Sequence, residues 1–426
     1  MSINQSIKPI TIEIKNNLTI GGCDLVELAK SYGTPLYVID EATLRGICRE
    51  YKNAFQGKNI NMMYASKALC TLSTSAIIAS EGFGFDVVSA GEIYTVHKAG
   101  ADMSKVLFNG NNKSSRELEL AIDLKVGRIS VDNFYEAELL NKIAQEKGVI
   151  VDVLLRVTPA IECHTHEYIK TGQLDSKFGF DLSQVDDVIS LNYPSLNIKG
   201  LHAHIGSQIF ELQSYRDEVD ILVNELKRIN EKFNLNLTEL NIGGGLGVKY
   251  TEEDCPPSVV EFAEALKSLP DDLTIYIEPG RSIISTSGVT LYTVGSSKQV
   301  PNGRKYVAVD GGMADNPRPA MYKAKYSAEV ANKTNAQEKE DVTIAGRFCE
   351  SGDILIENIT LPKLEAGDIL CVYNTGAYNY SMASNYNRVE KPAMVLVNNS
   401  QSDMIVNRES LEDLVYKENI PDRLRR

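Results

Sequence analysis

Four short motifs hold most of the side chains in this chain that can do chemistry: Tyr64-Ala65-Ser66-Lys67-Ala68, His202-Ala203-His204-Ile205-Gly206-Ser207-Gln208, Gly243-Gly244-Gly245-Leu246-Gly247 and Glu278-Pro279-Gly280-Arg281. A lysine amine attacks an aldehyde usefully only when it is held in place and partly desolvated, so Lys67 is a candidate imine-forming nucleophile; otherwise it is a solvated residue at a strand end. Strand alternation puts His202 and His204 on one face, where either serves as a metal ligand or as an aromatic face against a planar cofactor. The glycine run lets backbone N–H groups close on a phosphate, although it lacks the G-x-G-x-x-G spacing of a dinucleotide fingerprint. Glu278 and Arg281 either pair with each other or serve separate ligands.

Each motif ends an apolar, strand-like run, and such runs recur along the chain. They fall at 60–66, 83–89, 106–109, 128–132, 151–157, 198–205, 237–242 and 273–278, separated by amphipathic stretches such as 139–147 and 219–233. Eight strands alternating with helices predict an α/β fold, a (β/α)8 TIM-like barrel over 36–284, with the reactive residues at its C-terminal mouth. Loops after the seventh and eighth strands of such barrels are the usual phosphate site, which strengthens the reading of Gly244 and Gly245. Beyond Arg281 the texture becomes Val-, Thr- and Tyr-rich, broken by Gly, Pro and Asn. An all-β C-terminal domain over 285–426 follows, with the N-terminal segment 1–35, and a strand at 10–14, joining it.

The bulk composition excludes several classes. A net charge of −13 disfavours nucleic acid and anionic membrane, both of which need a basic face. Seven cysteines with no C-x-x-C pair read as free thiols in a reducing compartment. With no signal-peptide core and no apolar run of membrane length, a cytoplasmic protein is expected. A metal-dependent hydrolase built on His202 and His204 lacks third and fourth ligands at suitable strand ends, so no metal is expected.

A lysine for an imine, a histidine face, a phosphate cradle and a carboxylate for a pyridine nitrogen make a pyridoxal 5'-phosphate site. There Glu278 keeps the ring nitrogen protonated, and Arg281 is left to bind a substrate carboxylate. In their order and spacing the four motifs resemble the alanine-racemase-like fold type of pyridoxal enzymes and, within it, the basic amino acid decarboxylases. The segments Gly311 to Tyr322, Cys349-Glu350-Ser351-Gly352-Asp353, Thr375-Gly376-Ala377-Tyr378, His164 to Gly172 and Ser176-Lys177-Phe178-Gly179 resemble the diaminopimelate decarboxylase family specifically. The resemblance spans nearly the whole chain. Leu69 and Met321 depart from the commoner asparagine and leucine, and both are apolar fillers.

That resemblance implies decarboxylation of meso-2,6-diaminopimelate to L-lysine, the last step of lysine biosynthesis. It makes Lys67, His204 and Cys349 catalytic, with Cys349 as proton donor. Lys67, His204, Ser207, Gly244, Gly245, Glu278, Pro279, Gly280, Arg281 and Tyr378 bind the cofactor. Arg281, Arg318, Tyr322, Glu350 and Tyr378 bind the substrate, whose two amino acid ends suit two arginines and an acid. The resemblance also implies a homodimer in which Cys349 and Glu350 reach the neighbouring subunit's barrel. The rival readings are a decarboxylase for ornithine, arginine or carboxynorspermidine, an alanine-racemase-like activity, and a non-catalytic pyridoxal-phosphate-binding regulatory protein. Two arginines beside a diamine tail argue against ornithine, and Glu278 at the ring nitrogen argues against a racemase.

Overall fold

The computed structural model describes residues 2–159 and 176–425. Eight parallel strands, with the two-residue strand Phe180–Asp181 added on β5, form one sheet: β1 (Ile60–Ala65), β2 (Gly84–Val87), β3 (Val106–Phe108), β4 (Arg128–Val131), β5 (Val151–Thr158), β6 (Leu196–His202), β7 (Glu239–Asn241) and β8 (Thr274–Ile277). Neighbours in sequence are neighbours in the sheet, and β8 pairs back on β1 through Ile275 and Ile60, so the sheet closes as a (β/α)8 barrel. All eight predicted strands are present. β2, β3 and β7 are buried at every residue, as expected of parallel strands covered on both faces, and Asp86 on β2 and Glu239 and Asn241 on β7 are polar residues buried within them.

Several of the intervening helices start where the sequence supplies caps. Ser89, Ser114, Asn133 and Ser258 each accept a hydrogen bond from the backbone N–H three residues on, contributing about 1 kcal/mol apiece. The predicted surface helices lie within Phe134–Lys147 and Gln213–Phe233. Among the described residues, no helix is long and apolar enough to cross a membrane.

The barrel interior is layered from its N-terminal end to its mouth. At the base, Arg128 donates to both carboxylate oxygens of Glu239, at 2.8 and 2.6 Å, and lies 3.1 Å from Asp152. Met63, Leu107 and Leu154, from alternate strands, form an apolar layer with Tyr276 packed against it. At the C-terminal ends stand the buried polar residues Asp86, Ser130, Arg156, His202, Asn241 and Glu278.

Contacts divide the chain into two compact units, Met1–Ser6 with Leu44–Ser285 and Ile7–Thr43 with Thr286–Arg426. In the second, strand β9 (Gly288–Gln299) lies in a nine-stranded sheet between Lys305–Val309 and Leu36–Asp40, and Leu36–Asp40 pairs in turn with Ala393–Asn398. A three-stranded sheet of Glu13–Ile14, Leu18–Ile20 and Cys23–Asp24 adds Leu18 and Ile20 to a core with Val38, Leu291, Cys371 and Val395.

The expected boundaries differ from these units in two places. Leu36–Asp40, expected at the start of the barrel, is a fully buried strand of the second unit. Residues 1–6, expected with the β domain, belong to the barrel unit, because the Asn4 amide donates to Gly247 O and Pro257 O at 3.0 and 2.9 Å. The strand expected over 10–14 is the two-residue Glu13–Ile14.

Candidate active site

The barrel mouth is organised around Glu278, 6% exposed at the end of β8. Asn241 Nδ2 donates to its Oε1 at 2.8 Å and Asn109 Nδ2 at 3.1 Å, while His202 Nε2 makes a longer 3.4 Å contact with the same oxygen. Asn241 and His202 are held from behind. Asn241 Oδ1 accepts from Gly243 N, and His202 Nδ1 lies 2.9 Å from Ser130 Oγ. No donor among the described residues reaches Oε2, so the carboxylate keeps one oxygen for a ligand.

Burial alone would raise the pKa of Glu278. The His202 ring and the Lys67 ammonium outweigh that cost and hold the carboxyl below its ordinary range. Burial pushes the pKa of His202 itself down, against the pull of the Glu278 charge.

Lys67 follows β1 in the short 3-10 turn Ser66–Ala68, exposed between buried neighbours. Its ammonium is within electrostatic reach of Asp86, Glu278 and His204. The adjoining backbone is fixed to the end of β8, since Ala65 N donates to Pro279 O at 3.2 Å. A Cβ on Gly280 would come within 2.9 Å of the Ala65 methyl, so the close approach requires glycine.

His204 is part exposed, yet packed closely enough that burial, ahead of the Lys67 charge, pushes its pKa well below 6.5. Its Nδ1 accepts from Gly244 N at 3.2 Å, which places the ring proton on Nε2 and sets the ring's orientation. Gly244 therefore uses its amide on His204, and a Cβ there would sit 2.0 Å from the Glu278 carbonyl oxygen. Gly245, at φ +115°, occupies backbone space that L side chains rarely enter. Arg281 donates to Tyr250 Oη and Ser207 Oγ, both at 2.9 Å, so Glu278 and Arg281 take different partners.

The other expected residues lie in the second unit. Arg318, 5% exposed, opens the helix Arg318–Tyr322 and donates to Tyr326 Oη at 3.1 Å, with its guanidinium 6.0 Å from the Tyr378 ring centre. Tyr378 has φ +62°, a conformation unusual for a bulky residue and often found at ligand sites. Tyr322 ends the same helix, half-buried. Cys349 and Glu350 are exposed on a loop fixed by Asp353, which accepts from Phe348 N and Met313 N at 2.8 and 2.7 Å. That carboxylate ties together two of the motifs read from the sequence. The segment His164 to Gly172 lies outside the described residues.

Residues 41–285 match the sequence model of the family described as pyridoxal-dependent decarboxylase, pyridoxal binding domain. A protein of Synechocystis sp. named diaminopimelate decarboxylase is 48% identical over 99% of this chain and 95% of its own length. One of the same name from Bacillus subtilis is 46% identical over 94% of each. This chain belongs to the diaminopimelate decarboxylase family. The crystal structure of the M. jannaschii diaminopimelate decarboxylase in co-complex with L-lysine superposes with a TM-score of 0.92 at 34% identity, covering 98% of this chain and 99% of that one.

The residues at the mouth fit the family's cofactor. Glu278 offers one oxygen, with the other saturated by protein donors. Lys67 is exposed in the turn after β1, and the neutral His204 ring is held by Gly244. Reading the sequence did not single out Asp86, Asn109, Asn241 or Tyr250, although the first three lie within predicted strands.

Proposed function

We propose that this protein catalyses the pyridoxal-phosphate-dependent decarboxylation of meso-2,6-diaminopimelate to L-lysine and CO2, the last step of lysine biosynthesis. The observation that carries the reading is Glu278, a buried carboxylate held ionised and left with one free oxygen at the barrel mouth within reach of Lys67. When bound, the cofactor supplies a protonated ring that accepts the electron pair left by departing CO2.

The chain's residues prepare that event. Lys67 Nζ would be the amine that holds the cofactor through its aldehyde. Glu278 Oε2 holds the proton on the ring nitrogen, and the His204 ring, oriented by Gly244, supports the ring face. Ser207, Gly245 and the Pro279–Gly280 turn hold the phosphate end, with Tyr378 contacting both cofactor and substrate. Arg281 and Arg318 grip the substrate carboxylates, Glu350 its distal ammonium, and Tyr322 packs beside it. Cys349 returns a proton to the carbon that lost CO2.

Exposure of Cys349 and Glu350 on a single chain supports a homodimer in which each subunit completes its partner's site. Free thiols among the described cysteines support a cytoplasmic setting.

The test is to add pyridoxal phosphate and meso-diaminopimelate to the purified protein. A visible absorbance band lost in Lys67→Ala, with lysine and CO2 released, is expected. A band without lysine would move the substrate to ornithine, arginine or carboxynorspermidine. The shared site is tested by mixing inactive Lys67→Ala and Cys349→Ala chains under subunit exchange, which should restore about a quarter of wild-type activity. No recovery despite exchange would place both residues in one subunit's site, or show that Cys349 is dispensable if its variant is active alone.

A further inference from the structure

Asp86, at the mouth end of β2, is buried to 1% exposure beside Glu278. One amide group joins the two. Asn109 Nδ2 donates to Asp86 Oδ1 at 2.6 Å and to Glu278 Oε1 at 3.1 Å, which places the two carboxylate oxygens within about 6 Å of each other, close enough for like charges to shift one another. Both amide hydrogens are thus committed to carboxylates. The carbonyl end, Asn109 Oδ1, is buried with no partner among the described residues, so the orientation satisfies the acids at the amide's own expense.

The two acids are unequally supported. Glu278 has Asn241 and the His202 ring in addition to Asn109. For its carboxylate Asp86 has Asn109, and the charged groups near it are Lys67 after β1, Glu92 on the following helix, Arg156 on β5 and Glu278 on β8. Where two buried acids are this close, one takes the proton, and it is the acid with fewer donors. Burial, then the Glu278 charge, pushes Asp86 up to about 7.

We propose that Asn109 is a positioning residue that binds Asp86 and Glu278 into a pair sharing one proton, carried by Asp86, and so keeps Glu278 ionised for the cofactor's ring nitrogen. The proposal rests on the pyridoxal reading above. It gives Asp86 a second consequence, because its ionisation near neutrality changes the charge felt by Lys67 while Glu278 stays ionised.

Two measurements test it. In the holoenzyme without substrate, the absorbance of bound pyridoxal phosphate should titrate once in the neutral range. Asp86→Asn should abolish that transition, and Asn109→Leu should move it up by about one pH unit, because the ionised Asp86 loses its donor. An unmoved transition in Asn109→Leu, or one that persists in Asp86→Asn, would overturn the proposal. Should Asn109→Leu not fold, infrared spectroscopy of the apoprotein at neutral pH should show protonated-carboxyl absorbance that is weaker by one carboxyl in Asp86→Asn, over the background of the other buried acids, and equal absorbance in the two proteins would also overturn the proposal. If the wild-type protein binds no pyridoxal phosphate, the proposed function fails, while the infrared band still reports separately on the shared proton.

Discussion

Glu278 illustrates how a single carboxylate is given two unlike faces. Its Oε1 is committed to Asn109 and Asn241, so the side chain cannot turn, and Oε2 points its charge where a ligand proton can use it. Glu278→Gln keeps an acceptor for the two asparagines but places an N–H donor where an acceptor is needed. We expect kcat to fall by roughly 10²–10³, the usual cost of removing one preorganised electrostatic partner, with the circular dichroism spectrum unchanged. A variant with near-wild-type kcat would remove Glu278 from the role of ring-nitrogen partner.

Among the elements, the barrel depends on close strand contacts that glycine permits. Gly200 on β6 lies next to a register irregularity, and a Cβ there would fall 1.7 Å from the Glu239 carbonyl oxygen on β7. Gly200→Ala should destabilise the protein by about 1–3 kcal/mol, seen as a lower urea midpoint with an unchanged slope. A midpoint equal to wild type would mean that β6 and β7 separate freely. The barrel strands were legible because each is a short apolar run punctuated by glycine or polar residues. Leu36–Asp40 has that same texture, and periodicity does not reveal which sheet a fully buried strand will join. His202 and His204 were legible as candidate site residues, but the strand ends at His202, and their separate partners, Glu278 and Gly244, come from distant parts of the chain. Asp86, Asn109 and Asn241 were missed for the same reason. Each is one polar residue within an apolar run, and its meaning arises only when the sheet closes and brings it toward Glu278.

For the molecule as a whole, several buried acids tie stability to pH. Burial pushes both Glu136 and Asp315 up to about 7. Asp315 accepts hydrogen bonds from Tyr292 Oη and Gly312 N while remaining 3% exposed. A carboxyl whose folded pKa is raised binds more protons folded than unfolded between the two values. Its contribution is therefore complete below about pH 4 and is lost as pH rises through about 7. Thermal stability should decline from about pH 5 to about pH 8, and Asp315→Asn should flatten the slope by up to on the order of 3 kcal/mol across that range. An identical slope in the variant would mean that Asp315 is ionised in the folded protein.

The interleaving of the two units also sets an order of events during synthesis. Leu36–Asp40 leaves the ribosome roughly 250 residues ahead of β9 and further still ahead of Ala393–Asn398, the strands that flank it. At ordinary elongation rates that wait is on the order of tens of seconds, long enough for the barrel stretch 44–285 to emerge in full. Throughout, five residues destined for complete burial have no native strand to pair with, so the nascent chain carries an early, sticky segment that stays unpaired until the last third of the protein arrives.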